Sequence, residues 1–171
     1  MLHCLYIDRE TNKDNKNKVV EDIIQRQEDL NNGKNKFPLL IFPEGTTSNG
    51  LSMMEFKRGA FVGINPIKPI TVQYKGHNFH PTYEVLPFGV HVVLILSQLY
   101  TCLQLNYLPI FVPNEYLFKH TKLHLQANKE LIYAETIRTI MEESSGIKRS
   151  NTTLQDKKDY LEILYNQKGF S

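Results

Sequence analysis

Apolar residues recur at helical spacing at Val19, Val20, Ile23, Ile24 and Leu30, and Gly33 stands just beyond them, which predicts an amphipathic helix with a glycine stop. Short apolar runs flank it. Leu2 to Ile7 and Phe37 to Phe42 suit strands, and Asn12 to Asn17 reads as a polar loop. A strand, a crossover helix and a second strand make a βαβ unit, so the two strands are expected to be parallel with their C-terminal tips on one sheet edge. Asp8 and Arg9 would then face one crevice with Glu44 and Gly45, at the edge where open α/β sheets bind ligands.

Farther along, Met53 to Gly63 reads as a short helix carrying Lys57, and Ile70 to Tyr74 as a β-branched strand entered through Pro69. Gln104 to Val112 looks like a strand interrupted by Pro109, which suits a sheet edge. The spacing of Leu123, Ala127, Leu131, Ala134, Ile137 and Ile140 predicts a helix over 123–144 that ends at Gly146. Leu154 to Tyr165 reads as a terminal helix of low stability. No internal repeat and no linker interrupts this order. The fold class predicted is α/β, a mixed, largely parallel sheet flanked by helices. Residues 1–150 read as one domain and 151–171 as a helical tail.

Charge changes the picture in the middle of the chain. From Gly76 to Val112 the only charged side chain is Glu84. The dense apolar part, Val90 to Leu96 extended to Leu103, is interrupted by Ser97 and Gln98 and is too short for a membrane span of about 20 residues. Two readings stay open for it: a buried core helix, or a helix lying in a membrane interface with its apolar side turned to lipid.

Whole-chain composition adds mainly exclusions. A chain of 171 residues with 41% apolar content is the size of one domain. With 20 basic against 18 acidic residues, the net charge of +2 gives no electrostatic case for nucleic acid. Cys4 and Cys102 are too few for a disulfide framework or a zinc cluster, so a reducing compartment is the default.

The most informative stretch is Phe42-Pro43-Glu44-Gly45-Thr46-Thr47-Ser48, which closes the second apolar run and is followed by Phe56-Lys57-Arg58-Gly59-Ala60-Phe61. A carboxylate at the tip of a buried strand, with Pro43 before it and Gly45 after it, is held in one orientation beside whatever binds there. The two blocks together resemble the third signature block of the glycerolipid acyltransferases, the lysophospholipid acyltransferase superfamily. Phe56 to Phe61 is similar to the lysophosphatidylcholine acyltransferase branch, and the similarity extends through Leu108-Pro109-Ile110 into the following helix.

That resemblance carries expectations residue by residue. Leu5-Tyr6-Ile7-Asp8-Arg9 is similar to the second block, and it implies that Arg9 binds the acceptor's phosphate, a task suited to a planar fork of donors. Glu44 and Gly45, with Thr46 and Thr47 in the same turn, would bind and orient the acceptor. Thr47 stands where lysophosphatidic acid acyltransferases usually have arginine, which favours a lysophospholipid with a headgroup over a phosphate monoester. Lys57 is a candidate for phosphate or CoA contact, with a solvated lysine as the equal alternative. Pro69-Ile70 sits at the place of the fourth block.

The first block, a His-x-x-x-x-Asp pair in which histidine takes the acceptor's proton and aspartate orients the imidazole, is met only in spacing by His3 and Asp8. That match reads as a decoy. Asp8 already belongs to the second block, and positions 3 and 8 of a strand point to opposite faces. His77, His80, His91, His120 and His124 have no aspartate five residues on. The resemblance implies that no catalytic residue lies in this chain, that the base lies upstream of Met1, and that residues 1–150 are a partial acyltransferase domain whose fold is incomplete at the N-terminus.

The function implied is transfer of a fatty acyl group from acyl-CoA to a lysophospholipid, with the fragment itself inactive. The alternative is a non-catalytic lipid-binding or scaffold protein that keeps the fold. Acyl-CoA is expected as co-substrate with no cofactor and no metal, lysophospholipid and a membrane surface as partners, and the cytoplasmic face of the endoplasmic reticulum as the location.

Overall fold

A computed structural model describes residues 13–48, 50–75, 79–81, 86–120 and 128–168. Helix α1, Lys13–Asn31, carries the predicted stripe, with Ile23 buried against the body. It begins within the segment expected to be a polar loop. Its last turns are tied to the loop after Phe61. Asn65 donates from Nδ2 to Gln27 Oε1 at 2.9 Å and accepts at Oδ1 from Asn31 Nδ2 at 3.0 Å.

Residues 37–42 are not a strand. Phe37, Leu40 and Phe42 are 57%, 72% and 72% exposed, and the segment joins no ladder. A strand exists only with a hydrogen-bonding neighbour. The expected parallel partner, Leu2 to Ile7, lies outside the described residues. Glu44 therefore sits in a turn, not at the tip of a buried strand.

The helix expected over 53–63 is replaced by strand β1, Ser52–Met53, and a single 3-10 turn, Arg58–Ala60. An α-helix there would need Lys57 N–H to donate to the Met53 carbonyl. Both groups are taken: Lys57 N–H donates to Pro43 O at 2.8 Å, and Met53 O accepts from Ser150 N at 2.9 Å. Tertiary hydrogen bonds override the local helical pattern.

Strand β2, Ile70–Lys75, pairs antiparallel with β3, Cys102–Tyr107, in the register Ile70 to Tyr107. β3 stops short of the predicted Val112 because Pro109 has no N–H to offer the ladder. Pairing resumes for one bridge, in which Ile67 and Phe111 exchange hydrogen bonds of 3.0 and 2.8 Å. Between the two strands, helix α2, Phe88–Leu96, is not a buried core helix. Phe88, Val93 and Leu96 are 71%, 66% and 77% exposed. Only His91 is buried, with Nε2 3.2 Å from Pro81 O and its ring edge-on to Phe79.

A short α3, Glu115–His120, leads toward α4, Lys129–Ser145, which is capped by Gly146 in the left-handed conformation that glycine adopts without strain. α4 organises the core: Tyr133, Ala134 and Ile137 pack on Met53, Phe56 and Phe61. Tyr133 meets Phe61 edge-on at 5.4 Å, and its hydroxyl donates to Asn65 O at 2.9 Å. Strand β4, Lys148–Arg149, then pairs parallel with β1, and α5, Leu154–Lys168, closes the described chain. α5 starts on a reciprocal cap, with Thr153 N–H donating to Asp156 Oδ2 at 2.6 Å and Asp156 N–H to Thr153 Oγ1 at 3.3 Å. The architecture is mixed α/β, a small parallel pair and a longer antiparallel pair among helices.

Candidate functional site

Glu44, Gly45, Thr46, Thr47 and Lys57 are brought together; Arg9, His3 and Asp8 lie outside the described residues. The turn over 42–45 closes with Gly45 N–H donating to Phe42 O at 3.1 Å, and Gly45 has φ of +68°. Only glycine takes that φ freely. Lys57 then crosses it: a Cβ on Gly45 would stand 3.0 Å from Lys57 Cδ and Cε and 3.1 Å from Nζ. Two links therefore clip the first block onto the second, the backbone bond from Lys57 to Pro43 and the lysine stem over Gly45. Phe56 and Phe61, 5% and 3% exposed, anchor the second block in the core and leave Lys57 and Arg58 facing out.

Glu44 is half-buried, and its Oε2 accepts from Met54 N–H at 3.3 Å. Burial pushes its carboxyl above the ordinary value of 4.5, while the Met54 N–H and the Arg138 guanidinium pull in the other direction. Arg138, on α4, is 4% exposed. Its Nη2 donates to Met53 O at 2.9 Å and to Ser150 O, and Nη1 is 3.4 Å from Glu135 Oε1.

Thr46 and Thr47 meet a second unforeseen residue. Lys157 of α5 donates to Thr47 O and reaches Thr46 Oγ1 at 3.5 Å. Beside this turn opens a recess of about 550 Å³, bordered by Glu44, Glu55, Lys57, Arg58, Thr153 and Gln155. Its walls also include Phe56 and Leu131, so apolar surface lies beside the carboxylates and cations. Among the described residues, no three His, Cys, Asp or Glu side chains gather as a metal ion would need.

Arg138 and Lys157 were not singled out from the sequence. Arg138 did leave a trace, since it falls four residues after Ala134 on the face that α4 buries, where a cation is out of place. Lys157 left none. It lies 110 residues from Thr47, and only the fold brings them together.

An α/β domain whose Pro-Glu-Gly-Thr turn is clipped to a Phe-Lys-Arg-Gly-Ala-Phe block defines a class. The acyltransferase family model matches residues 1–72, which include both blocks. The chain is 27% identical to the lysophospholipid acyltransferase LPEAT1 of Arabidopsis thaliana over 159 residues, 93% of this chain and 38% of that protein. To LPEAT2 of the same plant it is 31% identical over 67% of this chain and 20% of that protein. To human lysophosphatidylcholine acyltransferase 1 it is 28% identical over 85% of this chain and 26% of that protein. No solved structure matches. The family match and the relatives named as lysophospholipid and lysophosphatidylcholine acyltransferases support placing the chain with the acyltransferases. It spans 38% or less of the length of these three relatives.

Proposed function

We propose that this chain is the acceptor-binding part of an acyltransferase that moves a fatty acyl group from acyl-CoA to the free hydroxyl of a lysophospholipid. The observation that carries it is the clip between the two blocks: Glu44, Gly45 and Lys57 meet in one corner, and Glu44 and Lys57 border the recess. In the chemistry, a histidine base removes the acceptor's proton as its oxygen attacks the thioester carbon; the carbon–sulfur bond then breaks and CoA leaves as the thiol. Glu44 and the Gly45–Thr47 turn orient the acceptor, Arg9 binds its phosphate, and Lys57 contacts the phosphate or CoA. None of these is the base. His91 does not serve either, because its ring is buried between Phe79 and Pro81. The base is expected outside these residues, with His3 and Asp8 not forming the pair.

Membrane association belongs to the same proposal, at the cytoplasmic face of the endoplasmic reticulum. Among the described residues no helix is long and apolar enough to cross a membrane. α2 and the loop after it nonetheless expose Phe88, Val93, Leu96, Leu99 and Tyr100, a surface suited to lying in the lipid interface.

The test is release of CoA from acyl-CoA with lysophosphatidylcholine or lysophosphatidylethanolamine. A full-length protein bearing this segment is expected to turn over and to lose turnover on Glu44→Ala. The 171-residue chain alone is expected to release none. Full turnover by Glu44→Ala would overturn the role of the corner, and turnover by the chain abolished by His3→Ala would overturn the placement of the base.

A further inference from the structure

Glu44 and Arg138 grip opposite ends of a single peptide group. The Met53–Met54 peptide presents its N–H to Glu44 Oε2 at 3.3 Å and its carbonyl to Arg138 Nη2 at 2.9 Å. In a trans peptide those two groups point to opposite sides. The carboxylate therefore lies at the positive end of that peptide's dipole and the guanidinium at its negative end, so each charge strengthens the other's hydrogen bond. The same guanidinium donates to Ser150 O, and Ser150 N–H donates to Met53 O at 2.9 Å, which locks β1, β4 and α4 around this peptide. A cation 4% exposed, with both terminal nitrogens bonded and Nε left without a partner, is held for a purpose or at a cost.

We propose that Arg138 is the positioning residue for Glu44, aiming its carboxylate at the acceptor through the Met53–Met54 peptide. The proposal rests on the reading of Glu44 as the acceptor-orienting group. It extends the working site from the turn after residue 42 to the second half of α4, beyond the residues 1–72 that the family model matches. Other charges stand about the pair, and Glu55 and Arg58 border the same recess as Glu44. Glu135 lies 3.4 Å from Arg138 and is shared with Arg149, which also binds Glu142 at 2.6 Å. Lys57 crosses Gly45, and Lys157 reaches Thr46 and Thr47. Both lysines remain when Arg138 is changed, so loss of Arg138 alone is readable. With burial already favouring the protonated carboxyl, removing the guanidinium can only raise it further.

The decisive measurement is the titration of the Glu44 carboxyl carbon by NMR in the 171-residue chain labelled at glutamate, assigned with Glu44→Gln. Arg138→Gln is expected to raise the midpoint by about one pH unit. Arg138→Lys, which keeps the charge and loses the fork, is expected to recover at least half of that shift. A midpoint unchanged in Arg138→Gln, with the fold intact by circular dichroism, overturns the proposal. So does Arg138→Lys titrating like Arg138→Gln. If Arg138→Gln does not fold, Arg138→Lys alone decides: the wild-type midpoint within about half a unit supports the proposal, and a larger rise overturns it. These readouts do not require turnover, so they stand apart from the acyl-transfer reading. In the full-length protein, Arg138→Lys is expected to raise KM for lysophospholipid several-fold with kcat little changed. Loss of kcat alone in Arg138→Lys would also overturn the proposal, since it would place the effect in the chemical step and not in acceptor binding.

Discussion

The stem of Lys57 lies on the face of Gly45 where a Cβ would stand, with Cδ and Cε 3.0 Å from that point. Space and backbone both demand glycine here, because φ is +68°. Gly45→Ala is expected to destabilise the fold by about 1–2 kcal/mol from the left-handed conformation alone. It is also expected to push the lysine off the turn. Urea unfolding measures the first effect, and the Lys57 Nζ resonance the second; an alanine variant as stable as wild type would mean that the turn is not held in this conformation.

Glu44 makes stability depend on pH in a defined direction. Its carboxyl is raised above the ordinary 4.5, chiefly by burial. The folded chain then binds that proton more tightly than the unfolded chain does, so its contribution is fully present below the ordinary value and is lost as pH rises through the raised one. Glu44→Gln keeps an acceptor for Met54 N–H and does not titrate. Wild type is therefore expected to lose stability relative to Glu44→Gln as pH climbs above 4.5, in paired urea titrations from pH 4 to pH 8. A difference that is flat or of opposite slope would contradict the burial of this group.

Tyr133, wholly buried, spends its hydroxyl on Asn65 O at 2.9 Å, and burial drives its phenol well above the usual range. Tyr133→Phe leaves that carbonyl short of a donor and is expected to cost about 1 kcal/mol. Tyr133→Ala, which also removes the ring packed on Phe61 and Phe111, is expected to cost about 3–5 kcal/mol. Equal effects for the two variants would show that ring packing is not what Tyr133 contributes.

The exposed side of α2 allows lipid binding to be separated from folding. Val93→Glu with Leu96→Glu changes side chains that are 66% and 77% exposed, so unfolding free energy is expected to move by less than about 0.5 kcal/mol. Sedimentation with phosphatidylcholine vesicles is expected to fall several-fold. If binding persists while stability drops, α2 packs against protein and not lipid.

Lys157 ties α5 to the turn through Thr46 and Thr47. Lys157→Ala is expected to speed amide hydrogen exchange along α5 and in residues 46–48 while leaving α4 protected. Unchanged exchange at both places would mean that the lysine does not hold them together.

Much of the chain's local order follows from its pattern alone. The stripe of α1, the β-branched run of β2 and the periodicity and glycine stop of α4 all declare themselves, because helix faces and strand runs are short-range properties of neighbouring side chains. The two blocks that carry the family resemblance are equally local, being contiguous residues whose identity needs no fold. Tertiary structure decided the rest. Residues 37–42 read as a strand yet join no ladder, and 53–63 read as a helix yet form none, since Pro43, Ser150 and Arg138 compete for the backbone groups a helix would use. The apolar α2 exposes Phe88, Val93 and Leu96, where its composition alone fitted a core as well as a membrane interface. Arg138 and Lys157 reach the Glu44 corner from far along the chain, and a contact between remote residues is set by how elements pack, which no window of sequence contains.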